Sequence, residues 1–124
     1  MIQDDLKKRA KQFAHDCVKL ASSLPNTFLG NHIKNQLIRS ATSVACNYRA
    51  VCVAQSKPSF ISKISIVTEE IDESCFWLEF IIDENLIGSE LVAPLFKESN
   101  DLTAIFIASR KTAQNRNKQL SINN

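Results

Sequence analysis

Four cysteines and two histidines form the first group of side chains that could do chemistry, by binding a metal ion, forming disulfides or acting as nucleophiles. They are Cys17, Cys46, Cys52, Cys75, His15 and His32. No two cysteines have the spacing of a zinc knuckle, and the histidines do not complete one. We therefore expect four free thiols, no bound metal and no other cofactor.

Carboxylates are the second group that could do chemistry, because they bind metal ions and transfer protons. Four acidic residues crowd into positions 69–73. A carboxylate metal site in a helical bundle would also need Glu-x-x-His pairs and inward-facing acids on several helices, and this sequence lacks both. Two glycines, Gly30 and Gly88, are too few for a phosphate-binding loop. The sequence therefore predicts a protein that is not an enzyme.

Basic residues are concentrated near the start of the chain. Residues 1–57 hold nine Lys or Arg against three acids, residues 58–109 hold two against ten, and residues 110–124 hold four against none. On the first predicted helix the basic side chains form one strip: Lys7, Lys8, Arg9, Lys11 and Lys19. Such a strip can bind nucleic-acid phosphates without reading the base sequence. The alternative is a helix face that simply contacts water.

Long helices must position these side chains. Only two glycines and three prolines occur in 124 residues, which favours long helices and short links. Apolar residues at steps of three and four predict four helices, over about 4–23, 31–55, 59–84 and 89–112. The last begins near Ser89 or just before Pro94. We expect an all-α, antiparallel up-down-up-down four-helix bundle over residues 1–112, followed by a polar, disordered tail over 113–124.

The third predicted helix carries more apolar surface than one bundle can bury. Ile66, Phe76 and Phe80 lie off its core stripe, and exposed apolar residues of this size usually contact another molecule. A stripe of mostly small side chains on the second helix, which includes Asn47, indicates a further packing surface. We expect these residues at an interface between subunits.

Cations on the second helix are expected to pair with acids on the third. If the two helices are antiparallel, Arg39 can reach Asp72 or Glu73, and Arg49 can reach Glu69. The alternative is that the acids face water. Pairs of this kind fix the register of two helices even when they add little stability.

Parts of the second and third helices resemble a known bacterial family. The stretch 36–50, QLIRSATSVACNYRA, is followed by AQS at 54–56, FISK at 60–63, EEIDES at 69–74 and FWLE at 76–79. In this order and at this spacing the segments resemble the 23S rRNA-intervening sequence proteins. They cover about half of the chain, and the first and fourth helices agree with the family in length and pattern.

The resemblance implies an up-down four-helix bundle that assembles into a homopentameric ring. It also implies a link to nucleic acid, because related accessory proteins of diversity-generating retroelements are basic barrels that bind nucleic acid and a reverse transcriptase. Two positions depart from the family pattern. Ala50 stands where relatives often carry glutamate, and Val53 where they often carry a basic residue.

Two functional hypotheses follow from these patterns. In the first, a homo-oligomer binds RNA or DNA through the basic strip of the first helix. In the second, the bundle is a scaffold or accessory subunit whose partner is another protein, and it binds no nucleic acid. No stretch is apolar and long enough to span a membrane, and the first residues lack the pattern of a signal peptide. We expect a cytoplasmic protein with no membrane partner.

Overall fold

Four α-helices make up the computed structural model, which describes the backbone of residues 3–123 and the side chains of residues 3–116. They are α1 (Gln3–Ser22), α2 (Phe28–Cys52), α3 (Lys57–Asp83) and α4 (Ser89–Asn123). No strand occurs in the described backbone. The predicted all-α fold with four helices is confirmed.

Each helix packs against the next one along the chain, and α4 also packs against α1. Residues early in α2 contact residues late in α3, so these two helices run in opposite directions. His32, early in α2, lies against Trp77, late in α3, with their ring centroids 5.6 Å apart. Further along α2, the buried Ser40 hydroxyl accepts a 2.9 Å hydrogen bond from Ser74, which precedes Trp77.

The core lies between the four helices and draws apolar side chains from each of them. The largest fully buried ones include Phe13, Ile33, Leu37, Ile64, Ile71, Leu78, Leu102 and Phe106. Burial of each such side chain stabilises the fold by about 1.5–3 kcal/mol relative to leaving it exposed. Tyr48 packs on Phe106 with ring centroids 5.4 Å apart, which joins α2 to α4 across the core. Within the described backbone, no helix is both long and apolar enough to cross a bilayer.

Side-chain caps set the starts of α2 and α3. The Thr27 hydroxyl accepts from the Gly30 amide at 3.0 Å, so α2 begins at Phe28 rather than at the predicted Asn31. The Ser56 hydroxyl accepts from the Ser59 amide at 3.2 Å and caps the start of α3 at Lys57. A Cβ atom added at Gly30 would overlap the Pro25 carbonyl oxygen, so the α1–α2 link requires glycine there. The α2 helix ends at Cys52, before the predicted end near residue 55.

Asn85, two residues after the end of α3, lies in the left-handed region of the backbone, with φ of 51°. Its amide donates to the Ile82 carbonyl, and the Leu86 amide donates to the Ile81 carbonyl. This pair of bonds satisfies carbonyls that have no partner inside the helix, and asparagine tolerates the conformation better than most residues. The turn brings the chain directly into α4.

The α4 helix begins at Ser89, the first of the two predicted starts, and holds Pro94 within it. It continues to Asn123, so the predicted end of this helix near Thr112 is wrong. The predicted disorder of residues 113–124 stays a prediction. Ala113 is buried against the bundle. The segment contains no glycine or proline and is rich in good helix formers, which explains the continuation. Asn124 lies outside the described residues.

Candidate nucleic-acid interface

An open groove of about 570 Å³ lies between α1 and α2, and we call it the basic groove. It is lined by Lys7, Lys8 and Lys11 of α1 and by Ala45, Cys46 and Arg49 of α2. Four of these six side chains are cationic and none is acidic. The lysines, Arg49 and Cys46 are exposed, so a ligand can reach the groove from solvent.

Helical spacing on both sides explains why these residues meet. On α1, Lys11 follows Lys7 by four residues and Lys8 by three, so the three lysines share a face. Leu6 and Ala10 turn into the core beside them. On α2, Ala45, Cys46 and Arg49 are related in the same way, and the first two are small. The space above these two small residues, rimmed by long basic side chains, forms the groove.

The groove cations have no acidic partners among the described side chains. The ion pairs in that part of the chain involve Arg9, Arg39 and Lys97. The exposed Asp4 and Asp5 lie one turn before Lys7 and Lys8 on α1 without pairing with them, and no described acid lines the groove itself, so positive charge is in excess there. The groove is therefore an electrostatic site for an anion that carries several charges, such as a polynucleotide backbone.

Two members of the predicted basic strip lie outside the groove. The Arg9 guanidinium makes a two-point contact with Glu98 of α4, with nitrogen–oxygen distances of 2.8 and 2.6 Å. This contact raises the pKa of Arg9 and ties α1 to α4, and the role of Arg9 in binding phosphate stays a prediction. Lys19 is exposed but lies eight residues beyond Lys11, about 12 Å along the helix axis.

The predicted ion pairs between α2 and α3 are partly present. The Arg39 guanidinium contacts Glu73, as predicted, and also Glu70 at 3.3 Å. These hydrogen bonds, chiefly the one to Glu73, raise the pKa of Arg39. The predicted contact between Arg39 and Asp72 is absent, and Asp72 is exposed. Because Arg39 is half exposed, its pairs contribute about 1 kcal/mol or less to stability.

Arg49 does not pair with Glu69, so that prediction is wrong. Both side chains are exposed, and Arg49 borders the basic groove instead. Ten residues separate Arg39 from Arg49, which places them about 80° apart around a helix of 3.6 residues per turn. Arg39 therefore faces α3 while Arg49 faces α1.

Aromatic side chains near the end of α3 form a cluster that is partly exposed to solvent. Phe76 is 53% exposed, and its ring lies 5.0 Å from Trp77 and 5.8 Å from Phe80, between centroids. The indole of Trp77 donates to Glu73 at 3.2 Å, which links the cluster to the Arg39 pair. Phe80 is half-buried. Phe76 is therefore the most exposed of these three aromatic side chains.

The two remaining predicted interface residues are half-buried. Ile66 lies one helical turn before Glu69 and Glu70 on α3, and Asn47 lies on α2. The Asn47 amide donates to the carbonyl and the hydroxyl of Ser43, both at 2.9 Å, so its donors are used within its own helix. The role of both residues at an interface between subunits stays a prediction.

The thiols do not form disulfides, in agreement with the expectation of free cysteines. Cys17 is buried, and burial raises the pKa of its thiol. Burial also raises the pKa of Cys52. Cys46 is exposed at the floor of the basic groove. Among the described residues, no group of three or more His, Cys, Asp or Glu side chains could hold a metal ion.

Sequence reasoning missed Arg49 and Cys46 as members of the basic groove. A signal for both was present, since antiparallel pairing of α1 with α2 places Lys11 beside Ala45. Four residues earlier on α1 and four residues later on α2, the same pairing places Lys7 near Arg49. The predicted ion pairs place α2 only against α3, and the groove lies on the other side of α2, toward α1.

Comparison with known proteins agrees with the fold and the sequence pattern. A search of curated proteins found no match. The chain is similar to a solved protein of unknown function from the S23 ribosomal protein family of Bacteroides thetaiotaomicron, with 29% identity and a TM-score of 0.77. That match covers 90% of this chain and 99% of the other. Residues 3–108 match the family model of the 23S rRNA-intervening sequence protein, and the chain therefore belongs to that family.

Proposed function

We propose that this protein binds nucleic acid through the basic groove, and that it acts by binding rather than by catalysis. The observation that carries the proposal is the set of four cations around one open groove, none of them paired with a described acid. Lysine and arginine side chains in this arrangement contact backbone phosphates and release condensed counterions. Binding of this kind positions a strand without specifying its sequence.

RNA is the first ligand to test. The family description refers to 23S rRNA, and the similar protein from Bacteroides is placed with ribosomal proteins. The basic groove contains no feature that would distinguish a ribose from a deoxyribose, so we expect RNA and DNA of the same structure to bind with similar affinity. A strong preference for RNA would point to contacts outside the groove.

We further propose that the up-down-up-down bundle assembles into a homopentameric ring through the aromatic cluster of α3. The exposed Phe76 supports this, because a side chain of this size is usually covered by another molecule. A ring would repeat the basic groove once per subunit, and several grooves on one strand would raise the apparent affinity. Assembly and nucleic-acid binding use different surfaces of the chain.

A protein-interaction scaffold is the second candidate function. Exposed acids at Glu69, Asp72, Glu79 and Asp83 accompany Phe76 on the outer face of α3. This face suits a cationic protein rather than a nucleic acid. If the protein binds no nucleic acid at low salt, the scaffold becomes the better interpretation.

Alkylation of the native Cys46 thiol tests where nucleic acid binds, and it requires no mutation. A bound strand in the basic groove covers this exposed side chain, so we expect structured RNA to slow its alkylation by iodoacetamide by about tenfold when most grooves are occupied. Cys75 serves as the internal control, since it lies between α3 and α4, with its sulfur 3.4 Å from the Thr103 hydroxyl. Mass spectrometry of the peptides reports both sites.

The comparison between the two cysteines decides the outcome. Protection of Cys46 with unchanged labelling of Cys75 supports binding in the groove. Equal protection of both would indicate a general effect such as aggregation. Binding that leaves Cys46 as reactive as before would place the nucleic acid elsewhere.

A further inference from the structure

A second cleft, of about 720 Å³, opens where α1, α3 and α4 meet at the end of the bundle that holds the α2–α3 link. We call it the end cleft. Phe60, Ile105 and Ala108 give it an apolar floor, and Lys57 and Arg116 place cations at its edge. No acidic residue is among the described residues that line it. An apolar floor with cations at the edge suits a flat apolar group that is attached to an anion.

Phe60 is the aromatic side chain of the end cleft. It is half-buried and packs against the core, so its ring is held in place while part of it faces the cleft. The ammonium of the exposed Lys57 lies over the face of this ring, 5.8 Å from its centroid, so a base that stacks there displaces this side chain. A nucleotide fits this arrangement of ring and cation, because its base can stack on an aromatic ring while its phosphate contacts a neighbouring cation.

The end cleft is close to the basic groove along α1. Gln3 lines the cleft and Lys7 lines the groove, and four residues of helix separate them by about 6 Å along the axis. The exposed Asp4 and Asp5 lie between Gln3 and Lys7 on α1, so a strand that joins the two sites passes two acids that line neither cavity. In a duplex the bases are paired inside the double helix, so only the backbone can contact such a cleft.

We propose that the end cleft accepts an unpaired base, stacked on Phe60, from a single strand whose backbone lies in the basic groove. The proposal rests on the proposed function and adds a ligand class to it, namely single-stranded rather than double-stranded nucleic acid. Phosphate contacts in the groove supply binding to any strand, and stacking in the cleft supplies a preference for exposed bases.

The experiment compares three fluorescent probes by anisotropy: a single-stranded 12-mer of RNA, the same strand with abasic sites throughout, and the matching duplex. The unaltered protein should bind the base-bearing single strand about tenfold more tightly than the abasic strand. Phe60→Leu keeps an apolar side chain but removes the ring, and we expect it to abolish that difference. Phe60→Tyr keeps the ring and should preserve it. Circular dichroism confirms that each variant is folded.

The outcomes separate the two proposals. Equal binding of base-bearing and abasic strands by the unaltered protein overturns the end cleft while leaving the basic groove intact. A preference for bases that survives in Phe60→Leu also overturns it. If Lys7→Gln with Lys11→Gln leaves all binding unchanged while Phe60→Leu removes the base preference, the basic groove fails, and stacking on Phe60 is supported only for a strand whose backbone lies elsewhere. Binding to no probe overturns both.

Discussion

Replacing Lys7, Lys8 and Lys11 together with glutamine is expected to lower the affinity for nucleic acid by about 100-fold or more at low salt. The reason is electrostatic, since the three changes leave Arg49 as the sole cation of the basic groove. Four phosphate contacts predict a slope of about −3 for log affinity against log salt with a single strand, and one contact predicts about −0.7. Fluorescence anisotropy with labelled RNA over a range of potassium chloride concentrations measures both quantities.

A charge-matched variant controls for the change in net charge. Lys19, Lys34 and Lys97 lie outside the basic groove, and their replacement with glutamine removes the same three charges. We expect this variant to retain affinity within about threefold, because distant exposed charges are screened beyond about 10 Å at moderate salt. Equal losses in the two variants would show that net charge, rather than the groove, determines binding.

Replacing Phe76 with glutamate is expected to dissociate the assembly. One copy has a mass of 13.9 kDa and a ring of five would have 69.5 kDa, so the change in measured mass would be fivefold. The substituted carboxylate would join exposed acids on the same face of α3 and would have to be buried at the interface, which is costly. Light scattering after size-exclusion chromatography measures the mass, and the thermal unfolding of the variant reports whether the bundle remains intact.

Val53→Glu provides the matched control. Val53 is 70% exposed and follows α2 at the other end of the bundle, away from the aromatic cluster. We expect this variant to keep the mass of the unaltered protein. If the unaltered protein itself has a mass of one chain at micromolar concentration, assembly through α3 is excluded.

Much of the fold could be predicted because the apolar residues that a helix buries recur in its sequence at steps of three and four. The apolar residues at steps of three and four on α2, among them Ile33, Leu37, Ala41 and Val44, are the ones buried in the core. The charge pattern also maps onto the structure. The acid-poor first half of the chain forms α1 and α2, which build the basic groove, while most acids lie on α3 and α4.

The candidate site was harder to predict because it depends on how each helix is rotated toward its neighbours. Arg9 and Lys8 are adjacent in sequence, yet Arg9 contacts α4 and Lys8 borders the groove against α2. Arg49 was assigned to α3 although its position around α2 turns it toward α1. The end of α4 was placed too early because the polar composition from residue 113 onward resembles a tail, while its helix-forming residues are compatible with continued helix.

The salt dependence of the Arg49→Gln variant tests binding in the basic groove most directly, because only the folded arrangement of α1 and α2 brings this residue to the lysines. Anisotropy with a single-stranded RNA should show a slope of log affinity against log salt that is shallower by about 0.7 for each groove that contacts the strand. Arg39→Gln, which removes an arginine already paired with Glu70 and Glu73 on the other side of α2, should leave the slope unchanged. A slope that is the same for Arg49→Gln and the unaltered protein would contradict binding in the groove.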